Sequence, residues 1–306
     1  MKLEPDLRSR LAGVRGLLLD LDGVLILRNE PISGVKEALA RLDAAGMPYR
    51  LATNMSIVSR ATLSRQLAAA GLTVPPDRIL SASSAAAADT GRRFPGRPLF
   101  VMVAPDALAE FAGQQLLSND EAAVPSARAA AVVVGDAGDG FTAANMQSAF
   151  ALLRGGARFV AMHKNRWWLT PAGVTLDSGA YVAALEFGLQ KRALVIGKPG
   201  RAFFAEGVRQ LAQAIGARAR DEAAGPADAG SKPAAVARLA AHEVAMVGDD
   251  VWNDILGAQK AGLRGVFVHS GKHGDLELAR FARERGGRAP DAVAPSLVEI
   301  VAALTD

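Results

Sequence analysis

Four short apolar runs, each stopping abruptly at polar residues, constrain this chain more than any other feature. They are Val14–Leu19 (broken only by Arg15), Tyr49–Ala52, Ala193–Ile196 and Val244–Val247. They end at Asp20-Leu21-Asp22-Gly23, Thr53-Asn54, Gly197-Lys198-Pro199 and Gly248-Asp249-Asp250. Apolar runs of this length, bounded by glycine, suit strands covered on both faces of a parallel sheet. Helical periodicity follows the first of them, with Val35, Leu39 and Leu42 on one face. The expectation is an α/β fold whose main, Rossmann-like parallel sheet holds all four runs. Ligands of such sheets bind beyond the carboxyl ends of the strands, where the polar tips stand.

The tips suggest a chemistry. Residues i and i+2 of a strand point the same way, so Asp20 and Asp22 would converge. Two carboxylates in one place repel, and a hard cation such as Mg²⁺ offsets that with an all-oxygen shell. Asp20 could then attack phosphorus as a nucleophile, with Asp22 as acid and base. A plain Asp-x-Asp-Gly turn would show the same residues. Thr53 and Asn54 offer neutral donors to phosphate oxygens, and a helix over 57–70 could add its first backbone N–H groups. Thr53 as an ordinary N-cap is the alternative. Lys198 is a point charge for phosphate and carboxylate. Asp249 is the remaining metal carboxylate, and Asp254 an outer-shell partner. Asp250 shares a helical face with Asp254 and complements a helix N-terminus.

Between Ser81 and Arg192 the character changes. Further strands, at 99–103, 131–135 and 159–162, read as an inserted α/β module. Its most loaded stretch is His163-Lys164-Asn165-Arg166-Trp167-Trp168, an anion-facing loop in which the tryptophans pack into a core or interface. Residues 216–233, rich in Ala, Gly, Arg and Asp, read as a surface insertion without apolar periodicity. Expected boundaries are 1–82 with 193–306 for the core and 83–192 for the insert.

Composition excludes several classes. The net charge is +4 without a basic block, which argues against nucleic-acid binding. Cysteine is absent, so thiolate metal sites and disulfides are excluded. The N-terminus lacks a signal-peptide core and no apolar run reaches membrane-spanning length, so a cytoplasmic protein without membrane contact is expected.

The four tips in this order resemble the haloacid dehalogenase (HAD) superfamily of phosphatases, whose motifs run DxDG, Ser/Thr, Lys and GDD. An α/β cap between the second and third motifs resembles the C2 class, subfamily IIA. Asp136-Ala137-Gly138, the His163–Trp168 stretch and Ala183-Ala184-Leu185-Glu186 resemble the phospholysine phosphohistidine inorganic pyrophosphate phosphatase group. Animal proteins of that group carry Ser in place of Asp22, a departure that weakens transfer of their substrates.

The resemblance implies a nucleophile at Asp20, acid/base at Asp22 and phosphate binding by Thr53, Asn54 and Lys198. Mg²⁺ would be held by Asp20, the Asp22 carbonyl and Asp249, with Asp250 and Asp254 outside. His163, Lys164, Asn165 and Arg166 would face a small phosphorylated substrate from the cap, and the cap could also support a homodimer. True dehalogenation is disfavoured, since it needs neither the second Asp nor a metal. The alternatives are phosphotransfer to a second substrate, or a non-catalytic protein that binds a phosphorylated metabolite or partner.

Overall fold

A computed structural model describes residues 6–170, 173–223, 238–284 and 289–306. The chain forms two compact units, Met1–Ala52 with Leu67–Val74 and Phe204–Asp306, and Thr53–Gln66 with Pro75–Phe203.

In the first unit the strand Gly16–Leu19 is buried throughout, with Leu17, Leu18 and Leu19 fully covered. Burying each leucine contributes about 1.5–3 kcal/mol, so this run belongs inside a sheet. Val244–Gly248 pairs with it in parallel on one side and Tyr49–Thr53 on the other. Arg264–Val268 and Ala292–Ala294 extend the parallel sheet beyond Val244–Gly248. Leu19 stands opposite Val247, which brings the Asp20 and Asp249 tips to the same sheet edge.

The helix after Lys198 runs from Arg201 to Ala223. The expected insertion over 216–233 is therefore corrected at its start, because 216–223 continues the helix. Ala and Arg are strong helix formers and carry an exposed turn without an apolar stripe. Residues 224–233 lie outside the described residues.

The second unit has its own parallel sheet, in the order Leu194–Val195, Arg158–Ala161, Ala131–Val134 and Leu99–Met102. Helices Ala143–Arg154 and Ser178–Leu189 pack on it around Phe100, Val132, Val134 and Leu185. The third apolar run was expected in the main sheet, and the structure corrects this: it pairs here. Leu194 and Val195 are only half-buried, as an edge strand would be, and apolar composition does not say which sheet a short strand joins.

The tryptophans, expected in a core or an interface, do not lie in a core. Trp167–Thr170 and Gly173–Leu176 form an antiparallel hairpin, and Trp167 is 59% exposed and Trp168 39%. No helix among the described residues is long and apolar enough to cross a membrane.

Candidate active site

The strand Gly16–Leu19 delivers Asp20 into a nearly closed environment. Its Oδ1 accepts the Leu21 N–H at 2.8 Å, and its own N–H donates to the Val247 carbonyl at 2.9 Å. Asp22, two residues on, is exposed. Gly23 has φ +78° and donates to the Ile26 carbonyl at 2.7 Å, closing the turn. One carboxylate is thus sheltered and the other open to solvent.

Asp20, Asp249 and Asp254 each bring a carboxylate oxygen within 4.8 Å of the other two, and all three are buried. Such a cluster is unfavourable unless charge is compensated. Burial, and then the negative charges of Asp20 and Asp250, push the Asp249 carboxyl above its ordinary pKa, against the Lys272 N–H that favours ionisation. Asp249 Oδ1 is buried and has no hydrogen-bond partner among the described residues. An all-oxygen donor set with an unsatisfied carboxylate atom fits a hard divalent cation.

Asp250 has a different task. It caps the turn Val251–Leu256, with Oδ1 accepting the N–H groups of Trp252 and Asn253, both at 2.9 Å. Its Oδ2 lies 3.0 Å from the Lys272 ammonium. Burial would raise its pKa, but Lys272 and the two N–H donors bring it down to about 2. Asp250 and Asp254 do not share a helical face, because Asp250 precedes the helix. Asp254 Oδ2 instead accepts the Asp250 N–H at 3.2 Å. Lys272 is a residue that sequence reasoning passed over, since a Ser-Gly-Lys after a strand carries no distinctive signal.

The expected phosphate-binding residues lie in the second unit. Thr53 is buried and its hydroxyl accepts the Met55 N–H at 3.2 Å, a local turn and not a helix cap. Asn54 and Lys198 are tied by two bonds: Asn54 Nδ2 donates to the Lys198 carbonyl at 2.9 Å, and the Lys198 N–H donates to Asn54 Oδ1 at 2.8 Å. The following helix begins at Arg60, later than expected. Its leading amides are occupied: Ser59 N–H by Asp106 at 2.6 Å and Arg60 N–H by Glu110 at 2.7 Å. They are not donors for phosphate.

Two of the four cap residues are also corrected. Lys164 Nζ lies 2.6 Å from Glu186 Oε2, with Arg192 3.1 Å from the same oxygen. A buried glutamate needs a counter-charge, and Lys164 supplies it to its own fold instead of a substrate. His163 is buried, with Nε2 2.9 Å from Ser56 Oγ and Nδ1 3.3 Å from Ser178 Oγ. Ser56 Oγ also accepts the Asp136 N–H at 3.0 Å, so the histidine, the serine and the Asp136 backbone form one buried network. Asn165 is half-buried and Arg166 exposed.

Burial holds the His163 pKa below its ordinary 6.5, against the pull of Asp177 and Asp136. The unfolded chain then binds a proton that the folded chain does not. Stability is fully present above pH 6.5 and falls as pH drops from there toward the lowered folded value. Denaturant midpoints should show wild type losing about 1 kcal/mol more than His163→Gln between neutral pH and about pH 5.5. Parallel pH curves would contradict the neutral, buried imidazole.

Comparison with known proteins places these residues in a lineage. Residues 17–116 match the model for haloacid dehalogenase-like hydrolase, and residues 195–300 a HAD-hydrolase-like model. Human phospholysine phosphohistidine inorganic pyrophosphate phosphatase is 33% identical over 270 residues, 86% of each chain. The chain belongs to the haloacid dehalogenase-like hydrolase family. Bovine haloacid dehalogenase-like hydrolase domain-containing protein 2 is 31% identical over 260 residues, 85% of this chain and 86% of that one. The structure of p-nitrophenyl phosphatase from Archaeoglobus fulgidus aligns with a TM-score of 0.77 at 26% identity, over 95% of this chain and 99% of that one. The expected family and parallel-sheet α/β class both hold for this hydrolase.

Proposed function

We propose that this HAD-family phosphatase hydrolyses a small phosphorylated substrate through an aspartyl-phosphate on Asp20, with Mg²⁺ as cofactor. The observation that carries the reading is the buried carboxylate cluster at the sheet edge, with Asp22 exposed beside it. An Asp20 carboxylate oxygen attacks phosphorus and the bond to the leaving oxygen breaks. Asp22, in its protonated form, gives that oxygen its proton. Asp22, now a carboxylate, takes a proton from water as the water attacks phosphorus, releasing inorganic phosphate and restoring Asp20. Exposure suits Asp22 to this exchange, while shelter suits Asp20 to attack.

Asp20, the Asp22 carbonyl and Asp249 would hold Mg²⁺, with Asp254 and Asp250 supporting them. The ion would supply charge neutralisation at the phosphoryl group. Thr53 and Lys198 are assigned to the phosphoryl oxygens, Asn54 holding the Lys198 backbone. Residues 83–192 are read as the cap that selects the leaving group. With Lys164 and His163 committed elsewhere, Arg166 is the exposed cation of the His163–Arg166 stretch.

Two relatives carry phosphatase names that span phosphoamides, pyrophosphate and an aryl ester. The test is a panel of those three classes with and without Mg²⁺. Release of phosphate from at least one class, abolished by excess chelator, is expected. Tight binding of phosphorylated compounds without turnover would favour the non-catalytic alternative.

A further inference from the structure

The strand Arg264–Val268 is followed by a loop that the proposed chemistry does not use, yet its residues reach each part of the carboxylate site in the first unit. Ser270 Oγ donates to the Gly23 carbonyl at 2.6 Å, in the Asp-x-Asp-Gly turn. The Lys272 N–H donates to Asp249 Oδ2 at 2.6 Å, and the Lys272 ammonium lies 3.0 Å from Asp250 Oδ2. His273 Nδ1 accepts the Val251 N–H at 3.3 Å, at the start of the turn that carries Asp254.

Gly271 lies at the centre of these contacts. A Cβ added there would stand 2.1 Å from Asp249 Oδ2 and 2.3 Å from Asp249 Cβ. From the other side, a Cβ on Gly23 would stand 2.5 Å from the same oxygen and 2.8 Å from Gly271 Cα. Asp249 is therefore clamped between two glycines. One of its oxygens is bound by the Lys272 N–H, while Oδ1 is buried without a hydrogen-bond partner among the described residues. The loop spends one oxygen on orientation and leaves the other to a ligand.

We propose that Ser270-Gly271-Lys272 is a positioning loop for the cation site, acting through Asp249. The inference rests on the reading above that Asp249 holds Mg²⁺. A carboxylate free to turn would satisfy Oδ1 with another donor, and a cation would have to break that contact to bind. Hydrogen-bonded partners of ligating carboxylates commonly change metal affinity by about 10–100-fold when removed. The loop extends that role to a neighbouring strand, beyond the four sequence motifs.

Gly271 does not have a positive φ, so alanine is allowed by the backbone, and the three atoms nearest its Cβ all belong to the Asp249 side chain. Gly271→Ala is the direct probe. Ser270→Ala is the milder one, which removes only the tie to Gly23. The measurement is the melting temperature of the full-length protein titrated with MgCl₂ after chelation, alongside the Mg²⁺ concentration for half-maximal phosphatase activity. Wild type should be stabilised by Mg²⁺. Both variants should melt with Mg²⁺-dependent shifts displaced to about 10-fold higher Mg²⁺ or beyond, with the half-activating concentration moving in parallel. The substrate KM at saturating Mg²⁺ should stay within about threefold, whereas general disruption would move it too. If wild type responds to Mg²⁺ and both variants respond identically, the positioning loop is overturned and the metal site stands. If wild type shows no Mg²⁺ response, the metal reading itself falls and the loop's role with it. A Gly271→Ala chain that fails to fold leaves Ser270→Ala to decide between the first two outcomes.

Discussion

Asp20→Asn should reduce turnover by at least about 10³-fold while leaving the fold in place, the largest effect expected of any single change here. The substitution keeps the shape of the side chain and its bond to the Leu21 N–H, which needs only a carbonyl-type acceptor. It removes the negative charge that attacks phosphorus, and it removes one of three mutually repelling carboxylates. Relief of that repulsion should leave the metal-free variant as stable as wild type or more so. Steady-state kinetics and thermal melting of the same preparation check both halves. Near wild-type turnover in a contaminant-free sample would refute the nucleophile assignment.

The second large effect concerns Asp249. Asp249→Asn should raise the Mg²⁺ requirement by about 100-fold or more, beyond the range typical of supporting residues. The reason is local. Oδ2 is committed to the Lys272 N–H, so ligation falls to Oδ1, and an amide offers a weaker donor there at either orientation. Titration calorimetry with MgCl₂ reads the affinity directly. Ca²⁺ should bind the wild-type site yet inhibit, because its larger and looser shell tolerates seven or eight oxygens and disturbs in-line attack. Unaltered Mg²⁺ binding by Asp249→Asn would show that the cation is held elsewhere.

Much of the carboxylate cluster was legible because its signals are short-range. An apolar run followed at once by carboxylates says both where a strand ends and what stands on its tip, as Leu19-Asp20 and Gly248-Asp249 do. Asp250 was legible only as an acid at a helix N-terminus; that it caps the helix from one residue before it, and does not lie on a face with Asp254, came from the structure. What could not be read depends on partners distant in sequence. Lys164 looks like a free cation until Glu186, 22 residues later, is found 2.6 Å away. His163 looks like a ligand until Ser56 and Ser178 take both its ring nitrogens.

Two errors have a different origin. The Leu194–Val195 strand was placed in the main sheet because an apolar edge strand and an apolar central strand have the same composition. The tryptophans were read as core or interface by residue type alone, and their exposure on the hairpin overturns the core half of that reading. Aromatic residues are buried on average, and an average does not place two particular side chains. The loop at Ser270–Lys272 was invisible for the opposite reason. Its contacts with Asp249 come from a backbone N–H and a missing Cβ, and the Ser270 hydroxyl and Lys272 ammonium find partners far away in sequence.

The most direct test of the account is to trap the intermediate. Protein quenched during turnover with a good substrate and Mg²⁺, then treated with borohydride, should convert phosphorylated aspartate to homoserine. Peptide mass spectrometry should find that change at Asp20 and not at Asp22 or Asp249, and it should vanish without substrate. Sustained turnover with an unmodified Asp20 peptide, or a trapped phosphoryl group on another residue, would contradict the mechanism.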